Sequence, residues 1–241
     1  MSFLSPIASR LGEQFGATTT ADHLDSLMAC HEIKIALDIG CGIKSTLTKY
    51  RPLVTTVGLD SYTITEASKS DAHDYYISSD ITQLSTEEIQ MKLHAVCGRT
   101  KADLVTLFGV IEHLPKQQGW LLLDKIEHLS ERFLLIDTPN GFVEQGPEYG
   151  NPYQRHLSGW FPHDFQGYGY SVYGGLGTCY LRGYMGEPRF KIPGLRTFDN
   201  IVMARLLMTQ RFPQHAFNIC AIKDLRGVPA RYDSYDDPRR S

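Results

Sequence analysis

Apolar residues in this chain fall into short runs that alternate with segments in which they recur at helical spacing. The runs predict buried strands over residues 35–39, 53–59, 75–79, 103–108 and 133–137. The intervening segments predict helices over residues 22–31, 89–96 and 117–129, the second of them introduced by the start signal Ser85-Thr86-Glu87-Glu88. Strands that alternate with helices favour a parallel, doubly wound α/β sheet with right-handed crossovers.

The chain beyond residue 160 completes the predicted domain with a short helix over 162–169, a strand over 170–176 and a final strand over 215–225. Residues 177–213 form an insertion, and its segment 201–208 is apolar nearly all round. That segment predicts a helix buried against the domain or against a second subunit, so we expect a homodimer. We predict a single domain over residues 1–225, with helical cover at 1–34, and a disordered tail over 226–241.

The composition changes this picture only by excluding some classes of function. The 241 residues, 42% of them hydrophobic, suffice for one α/β domain with an insertion. The formal net charge of −3 does not indicate the basic surface that nucleic-acid-binding proteins need, so we expect no nucleic-acid partner. No run approaches the roughly 18 apolar residues of a membrane span, and residues 1–16 lack signal-peptide features, so we expect no membrane association and a cytoplasmic location. The five scattered cysteines argue against disulfides and against a Cys-x-x-Cys metal site.

A glycine turn directly follows the first predicted strand. Gly40 and Gly42 allow the chain to turn sharply and to approach a ligand closely, and Cys41 between them is small enough for that turn. Asp38, at the carboxyl end of the strand, would repel a pyrophosphate but would pair with an ammonium group. The third glycine of a dinucleotide fingerprint is missing. The turn therefore favours a cofactor that carries an amino-acid group.

Acidic residues also end the second and third predicted strands. Asp60 lies about twenty residues beyond the glycines, the spacing at which an acid accepts both hydroxyl groups of a ribose. Asp80, followed by the apolar Ile81, suits the edge and face of an adenine ring. Together with the glycine turn, these residues predict an adenosine-bearing cofactor at one edge of the sheet.

Residues 35–139 resemble the class I S-adenosylmethionine-dependent methyltransferases, in particular the small-molecule and glycan branch called methyltransferase type 11. The resemblance lies in L-D-I-G-C-G from residue 37, V-G-L-D from 57, S-S-D-I-T from 78 and F-G-V-I-E-H-L from 108. It implies a Rossmann-like sheet of seven mostly parallel strands, with an antiparallel hairpin strand at its edge. It also implies S-adenosylmethionine as the cofactor, held by Asp38, Gly40, Cys41, Gly42, Asp60, Ser61, Asp80, Ile81, Phe108 and Gly109.

Two positions depart from the pattern of that family. Lys44 replaces the third glycine of the first motif, which predicts a looser turn. Phe108 and Gly109 stand where an acid or an asparagine is often found. The second departure leaves open which group contacts the methionine end of the cofactor.

Residues 142–160, after the fifth predicted strand, are rich in groups that hydrogen-bond, stack or titrate and poor in aliphatic side chains. A substrate pocket needs such aromatic walls and convergent polar groups, whereas a core does not. The string from residue 151 to residue 160 is similar to one that follows the fifth strand in a bacterial and archaeal subgroup of these methyltransferases. We expect the acceptor to contact Asn151, Tyr153, Arg155 and Trp160. Arg155 also suits a loop carbonyl, and Trp160 a packing anchor.

His156 in this loop is the preferred general base, because the unperturbed histidine pKa of about 6.5 lies near the working pH. A structural role for His156, in which it fixes the loop through hydrogen bonds, is an equal alternative. His113 and Glu112 are the other catalytic candidates, and they could instead bind a divalent metal. Two adjacent residues supply too few ligands by themselves, so no metal site is predicted.

The predicted function is transfer of the cofactor's methyl group to an oxygen, or less readily a nitrogen, of a small molecule, natural product or glycan. Two rivals stay open. A non-catalytic S-adenosylmethionine-binding subunit would not need the polar loop after the fifth strand. A nicotinamide-dependent oxidoreductase shares the ribose acid, but Asp38 and the missing third glycine disfavour it.

Overall fold

The computed structural model describes residues 19–61, 72–147, 151–182, 189–199 and 212–226. The strands are β1 (Ile35–Ile39), β2 (Thr55–Asp60), β3 (Tyr75–Ser78), β4 (Ala102–Phe108), β5 (Ser130–Pro139), β6 (Ser171–Thr178) and β7 (Ala216–Asp224). They form one seven-stranded sheet in the order β3-β2-β1-β4-β5-β7-β6. Strands β1 to β5 are parallel, and β7 is antiparallel to both of its neighbours. The predicted fold, including the antiparallel hairpin strand, is confirmed.

Helices follow the strands where the apolar spacing predicts them. In the described ranges they are α1 (Thr20–Cys30), α2 (Thr86–Cys97), α3 (Lys116–Leu129), α4 (Pro162–Gln166) and α5 (Leu195–Phe198). Short 3-10 helices cover Thr46–Tyr50, Ile111–His113, Pro152–Gln154 and Pro213–His215. Ser85 caps α2 through a reciprocal bond pair with Glu88, and Gly98 ends it in the left-handed conformation. Local sequence therefore sets both ends of α2.

The hydrophobic core lies on both faces of the sheet, as a doubly wound fold requires. One face packs Leu37 and its neighbours against α2 and α3, through residues such as Leu93 and Leu123. The other face packs Ala36 against α1, through Leu24 and other side chains. Adjacent residues of β1 thus serve opposite layers, because successive side chains of a strand point to opposite faces.

The fifth strand is longer than the apolar run predicted. It extends to Pro139 instead of ending before Thr138, and Asn140 then forms an isolated bridge with Trp160. The reason is the antiparallel partner β7, which pairs Pro139 with Asn218 and accepts the Asn140 N–H at the Phe217 carbonyl oxygen. This extension carries Thr138 and the residues after it toward the carboxyl edge of the sheet.

Several predictions about the rest of the chain fall partly or wholly outside the described residues. The predicted helix over 201–208 and the tail beyond residue 226 are among them, so the homodimer and the domain boundaries stay predictions. The short helix predicted over 162–169 ends at Gln166, within a segment that turns at Gly167 and Gly169. None of the helices in the part of the chain that is described is long and apolar enough to cross a membrane.

Candidate functional site

A cavity of about 280 Å³, the first cavity, lies at the carboxyl ends of β1, β2 and β4. The segment after β3 and the start of α3 complete its walls. Strand order reverses between β1 and β4, and ligands of open α/β sheets bind at such a point. The predicted cofactor residues that line this cavity are Gly40, Asp60, Ser61, Asp80, Ile81 and Gly109.

The glycine turn connects β1 to the first cavity. Gly40 and Gly42 both have positive φ angles, 68° and 55°, which favour glycine. The Gly42 N–H donates to Oδ2 of Asp60 at 2.8 Å, so the predicted ribose acid also holds the turn in place. Cys41 is buried and does not line the cavity; burial raises the pKa of its thiol, so it stays protonated at neutral pH. The Cys41 side chain therefore packs within the protein, and its thiol does not act as a nucleophile.

Asp38 does not line the first cavity, contrary to its predicted contact with the cofactor's ammonium group. Its side chain is 3% exposed. One carboxylate oxygen accepts from the Thr106 hydroxyl at 2.7 Å, and the other accepts from the Ser45 hydroxyl. His73 Nε2 lies 3.4 Å from that second oxygen. Asp38 thus links β1 to β4 and to the chain after the glycine turn, and no ligand is needed to satisfy it.

Phe108 lines a second cavity, of about 200 Å³, instead of the first. This second cavity lies between α1, the carboxyl ends of β4 and β5, and the amino end of the antiparallel β7. It also exposes Asp137, which the sequence analysis did not select as a site residue. The available signal was the one used for Asp60 and Asp80, namely an acid at the carboxyl end of a predicted strand.

The loop after β5 contributes to the first cavity through only some of the predicted acceptor residues. Asn151 and Tyr153 line it, together with Gln154 and Leu157, which were not predicted. Arg155 is exposed and does not line it, although its carbonyl oxygen accepts from His113 Nδ1 at 3.1 Å. The loop thus covers the cavity with amide, phenol and aliphatic groups.

Trp160, a predicted acceptor contact, is placed as a packing residue and does not line the first cavity. The side chain is completely buried. Its ring meets that of Trp120 edge to face, with the ring centroids 4.6 Å apart. The indole N–H donates to Ser158 Oγ at 2.9 Å, which satisfies its polar atom inside the core. Trp160 anchors the end of the loop on α3.

Glu112, His113 and His156 form one cluster, the EHH cluster, beside the first cavity. One ligand-type atom from each residue lies within 4.8 Å of the others. The backbone explains this proximity, because the Glu112 carbonyl oxygen accepts from the N–H groups of Leu157 and Ser158 at 2.8 and 3.1 Å. His113 lines the cavity, whereas the buried His156 contacts the His113 ring and does not line it. His113 is therefore better placed than the predicted His156 to reach an acceptor.

The protonation states of the EHH cluster follow from its burial. Burial raises the pKa of Glu112 to about 8, opposed by a 3.0 Å bond from the Thr138 hydroxyl. Burial lowers the pKa of His113 and of His156, so both rings are neutral at pH 7. Each ring donates Nδ1–H to a carbonyl oxygen, that of Arg155 or Val143, and keeps a lone pair on Nε2. Two neutral imidazoles and a carboxyl group suit either proton removal or cation binding.

The sequence matches no protein-family model and no curated protein. Among solved structures, it is similar to a SAM-dependent methyltransferase from Archaeoglobus fulgidus, with 16% identity, a TM-score of 0.48 and coverage of 88% of this chain and 97% of that one. It is similar to the small RNA methyltransferase HEN1, with 16% identity, a TM-score of 0.49 and coverage of 84% and 24%, so it spans about a quarter of that chain. It is also similar to magnesium protoporphyrin IX methyltransferase (ChlM) from Synechocystis PCC 6803, with 16% identity, a TM-score of 0.43 and coverage of 71% and 79%.

The strand order, the antiparallel β7 and the glycine turn beside the acid-ended strands define the fold as that of the class I S-adenosylmethionine-dependent methyltransferases. The ChlM structure contains bound S-adenosylhomocysteine.

The sequence-based prediction that excludes a nucleic-acid partner is wrong. HEN1 is described as a small RNA methyltransferase, and its structure matches 84% of this chain. The prediction rested on a net charge of −3, which sums over the whole surface. A sum of that kind does not report the charge at the mouth of one cavity.

Alanine at Gly40 is expected to weaken binding of S-adenosylhomocysteine at least tenfold while the circular-dichroism spectrum stays native. An added Cβ would lie 2.3 Å from Val110 Cγ2 in the cavity wall and would also force a residue with a side chain into positive φ. Gly42→Ala is the matched control, since its φ is also positive but its Cβ would meet nothing within 4 Å. Isothermal calorimetry measures both, and equal losses in the two variants would contradict a role for close approach at Gly40.

Proposed function

We propose that this protein transfers the methyl group of S-adenosylmethionine to a hydroxyl oxygen of its acceptor. The observation that carries this proposal is the EHH cluster beside the first cavity, because a hydroxyl acceptor must lose its proton as the new bond forms. A neutral amine acceptor needs much less help of this kind. The proposal also names the class of acceptor, which is a small molecule, natural product or glycan.

The residues at the first cavity have distinct roles in this proposal. Asp60 accepts hydrogen bonds from the ribose, Asp80 and Ile81 bind the adenine edge and face, and Gly40 lets the cofactor approach the backbone. The reaction is an in-line displacement at the methyl carbon. Much of the acceleration comes from holding acceptor and methyl group at near-attack distance, an effect worth up to ~7–11 kcal/mol in model systems.

Proton removal belongs to the EHH cluster, by one of two routes. In the first, the Nε2 lone pair of His113 takes the acceptor proton, since this ring is neutral and lines the first cavity. In the second, Glu112, His113 and His156 would together hold a divalent cation, which would supply Lewis-acid chemistry that lowers the pKa of an acceptor hydroxyl. The sequence argument against a metal was that two ligands are too few, and His156 supplies a third.

The test is transfer of an isotope-labelled methyl group from S-adenosylmethionine, with cell metabolites, oligosaccharides and RNA fractions offered separately. We expect release of S-adenosylhomocysteine together with label on an oxygen of one fraction, identified by mass spectrometry. Label on RNA would move the acceptor away from small molecules and glycans. Tight cofactor binding without transfer to any fraction would support the non-catalytic rival, and binding of reduced nicotinamide cofactor in its place would support the oxidoreductase.

A further inference from the structure

The first cavity takes one of its walls from the turn between β3 and α2. Asp80, Ile81 and Thr82 of this turn line the cavity. The turn belongs neither to the sheet nor to the helix, since β3 ends at Ser78 and α2 begins at Thr86. Its backbone carbonyl oxygens therefore need donors from other parts of the chain wherever water does not reach them.

Local contacts shape the turn from within. The Gln83 N–H donates to the Asp80 carbonyl oxygen at 3.1 Å, which closes a β-turn over residues 80–83. Oδ1 of Asp80 accepts from the Thr82 N–H at 2.8 Å and from the Thr82 hydroxyl at 2.7 Å. These contacts orient the Asp80 side chain relative to the turn, but they do not hold the turn against the rest of the domain.

Lys125 of α3 joins the turn to the domain. Its Nζ donates to the Ile81 carbonyl oxygen at 2.7 Å and to the Leu84 carbonyl oxygen at 2.5 Å. A single ammonium group can make both bonds because it carries three N–H donors. Burial lowers the pKa of Lys125, and the nearby carboxylates of Asp80 and Glu88 oppose that shift. The position of the turn therefore depends on a charged side chain that comes from a different element.

We propose that Lys125 is a positioning residue for the cofactor, and that its ammonium group holds the turn where Asp80 recognises the adenine base. The assignment rests on the proposed function, since it takes the ligand to be an adenosine. The exocyclic amine of adenine is a donor, which suits the Asp80 carboxylate. Lys125 itself does not line the first cavity, so it acts on the base through the turn and not by contact.

The test compares S-adenosylhomocysteine with S-inosylhomocysteine, in which a carbonyl oxygen replaces the exocyclic amine of the base. The base preference is the ratio of their two dissociation constants, measured by calorimetry. We expect the wild type to favour the adenine ligand about 10- to 100-fold, the scale of a hydrogen bond to a charged group. Lys125→Met keeps the length of the side chain and removes its donors, so we expect the base preference to fall about fivefold or more.

Lys116→Met is the matched control. Lys116 also lies on α3, is half-buried and donates to a backbone carbonyl oxygen, that of Gly159 at 2.8 Å, but it contacts the loop after β5 and not the turn. This variant should keep the wild-type base preference. Lys125→Arg retains a charge and N–H donors, so its base preference should stay within about twofold of the wild type. Both ligands are measured on one preparation, so a smaller folded fraction does not change the ratio.

A wild-type base preference in Lys125→Met, or an equal fall in Lys116→Met or in Lys125→Arg, would overturn the Lys125 assignment alone. Equal binding of the two ligands by the wild type would also overturn it, and that measurement does not depend on how any variant folds. A wild type that binds neither ligand would overturn the proposed function as well.

Discussion

Alanine at His113 is expected to reduce turnover by about 10²- to 10⁴-fold, the usual contribution of a general base, while cofactor affinity stays unchanged. The reason is position, because His113 lines the first cavity and its ring is neutral at pH 7. Turnover is measured as release of S-adenosylhomocysteine at saturating substrates, and affinity by calorimetry. His128→Ala is the matched control, since His128 is an exposed histidine on α3 that lines neither cavity.

The same assay separates the two routes of proton removal when it is repeated on His156→Ala and Glu112→Gln. If the EHH cluster binds a cation, both variants should lose activity about as strongly as His113→Ala, and a chelator should abolish wild-type activity until Mg²⁺ or another divalent ion is restored. If His113 acts alone as a base, the chelator should have no effect and the other two variants should lose less. Full activity in all three variants would contradict both routes and would favour an amine acceptor.

Alanine at Asp60 is expected to weaken S-adenosylmethionine binding by roughly 2–4 kcal/mol, because two hydrogen bonds to a charged acceptor are lost. Asp60 lines the first cavity at the end of β2, and its Oδ2 also accepts the Gly42 N–H, so the variant loosens the glycine turn as well. Calorimetry measures the dissociation constant, and thermal unfolding measures the effect on the fold. An unchanged dissociation constant would remove Asp60 from the cofactor site.

Asp60→Asn separates the two roles of that side chain. An amide oxygen can still accept from Gly42, but it carries no charge, and the amide NH₂ group cannot accept from the second ribose hydroxyl. We expect affinity between that of the wild type and that of Asp60→Ala, with thermal stability close to the wild type. Equal affinities of the two variants would mean that the turn, and not the ribose contact, determines the loss.

The sequence by itself determined the sheet, its connections and the position of the cofactor edge. Short apolar runs and capped helical segments depend on local periodicity, so β1 and α2 agree with prediction to within a few residues. Gly40 and Asp60 could be assigned because each lies at the end of a strand, and parallel strands bring their carboxyl ends to one edge. The prediction that this cofactor is S-adenosylmethionine came from the resemblance of residues 35–139 to the methyltransferases.

Only the tertiary structure decided which side chain at that edge contacts what. Asp38 and Asp137 both lie near the carboxyl end of a parallel strand and both accept hydrogen bonds from neutral donors, but Asp38 lines neither cavity whereas Asp137 lines the second. His156 lies 43 positions beyond His113 in the chain, and bonds from residues 157 and 158 to the Glu112 carbonyl bring the two rings together. Such contacts join segments remote in sequence. Local patterns do not encode them, because they depend on how the loop after β5 packs over β4.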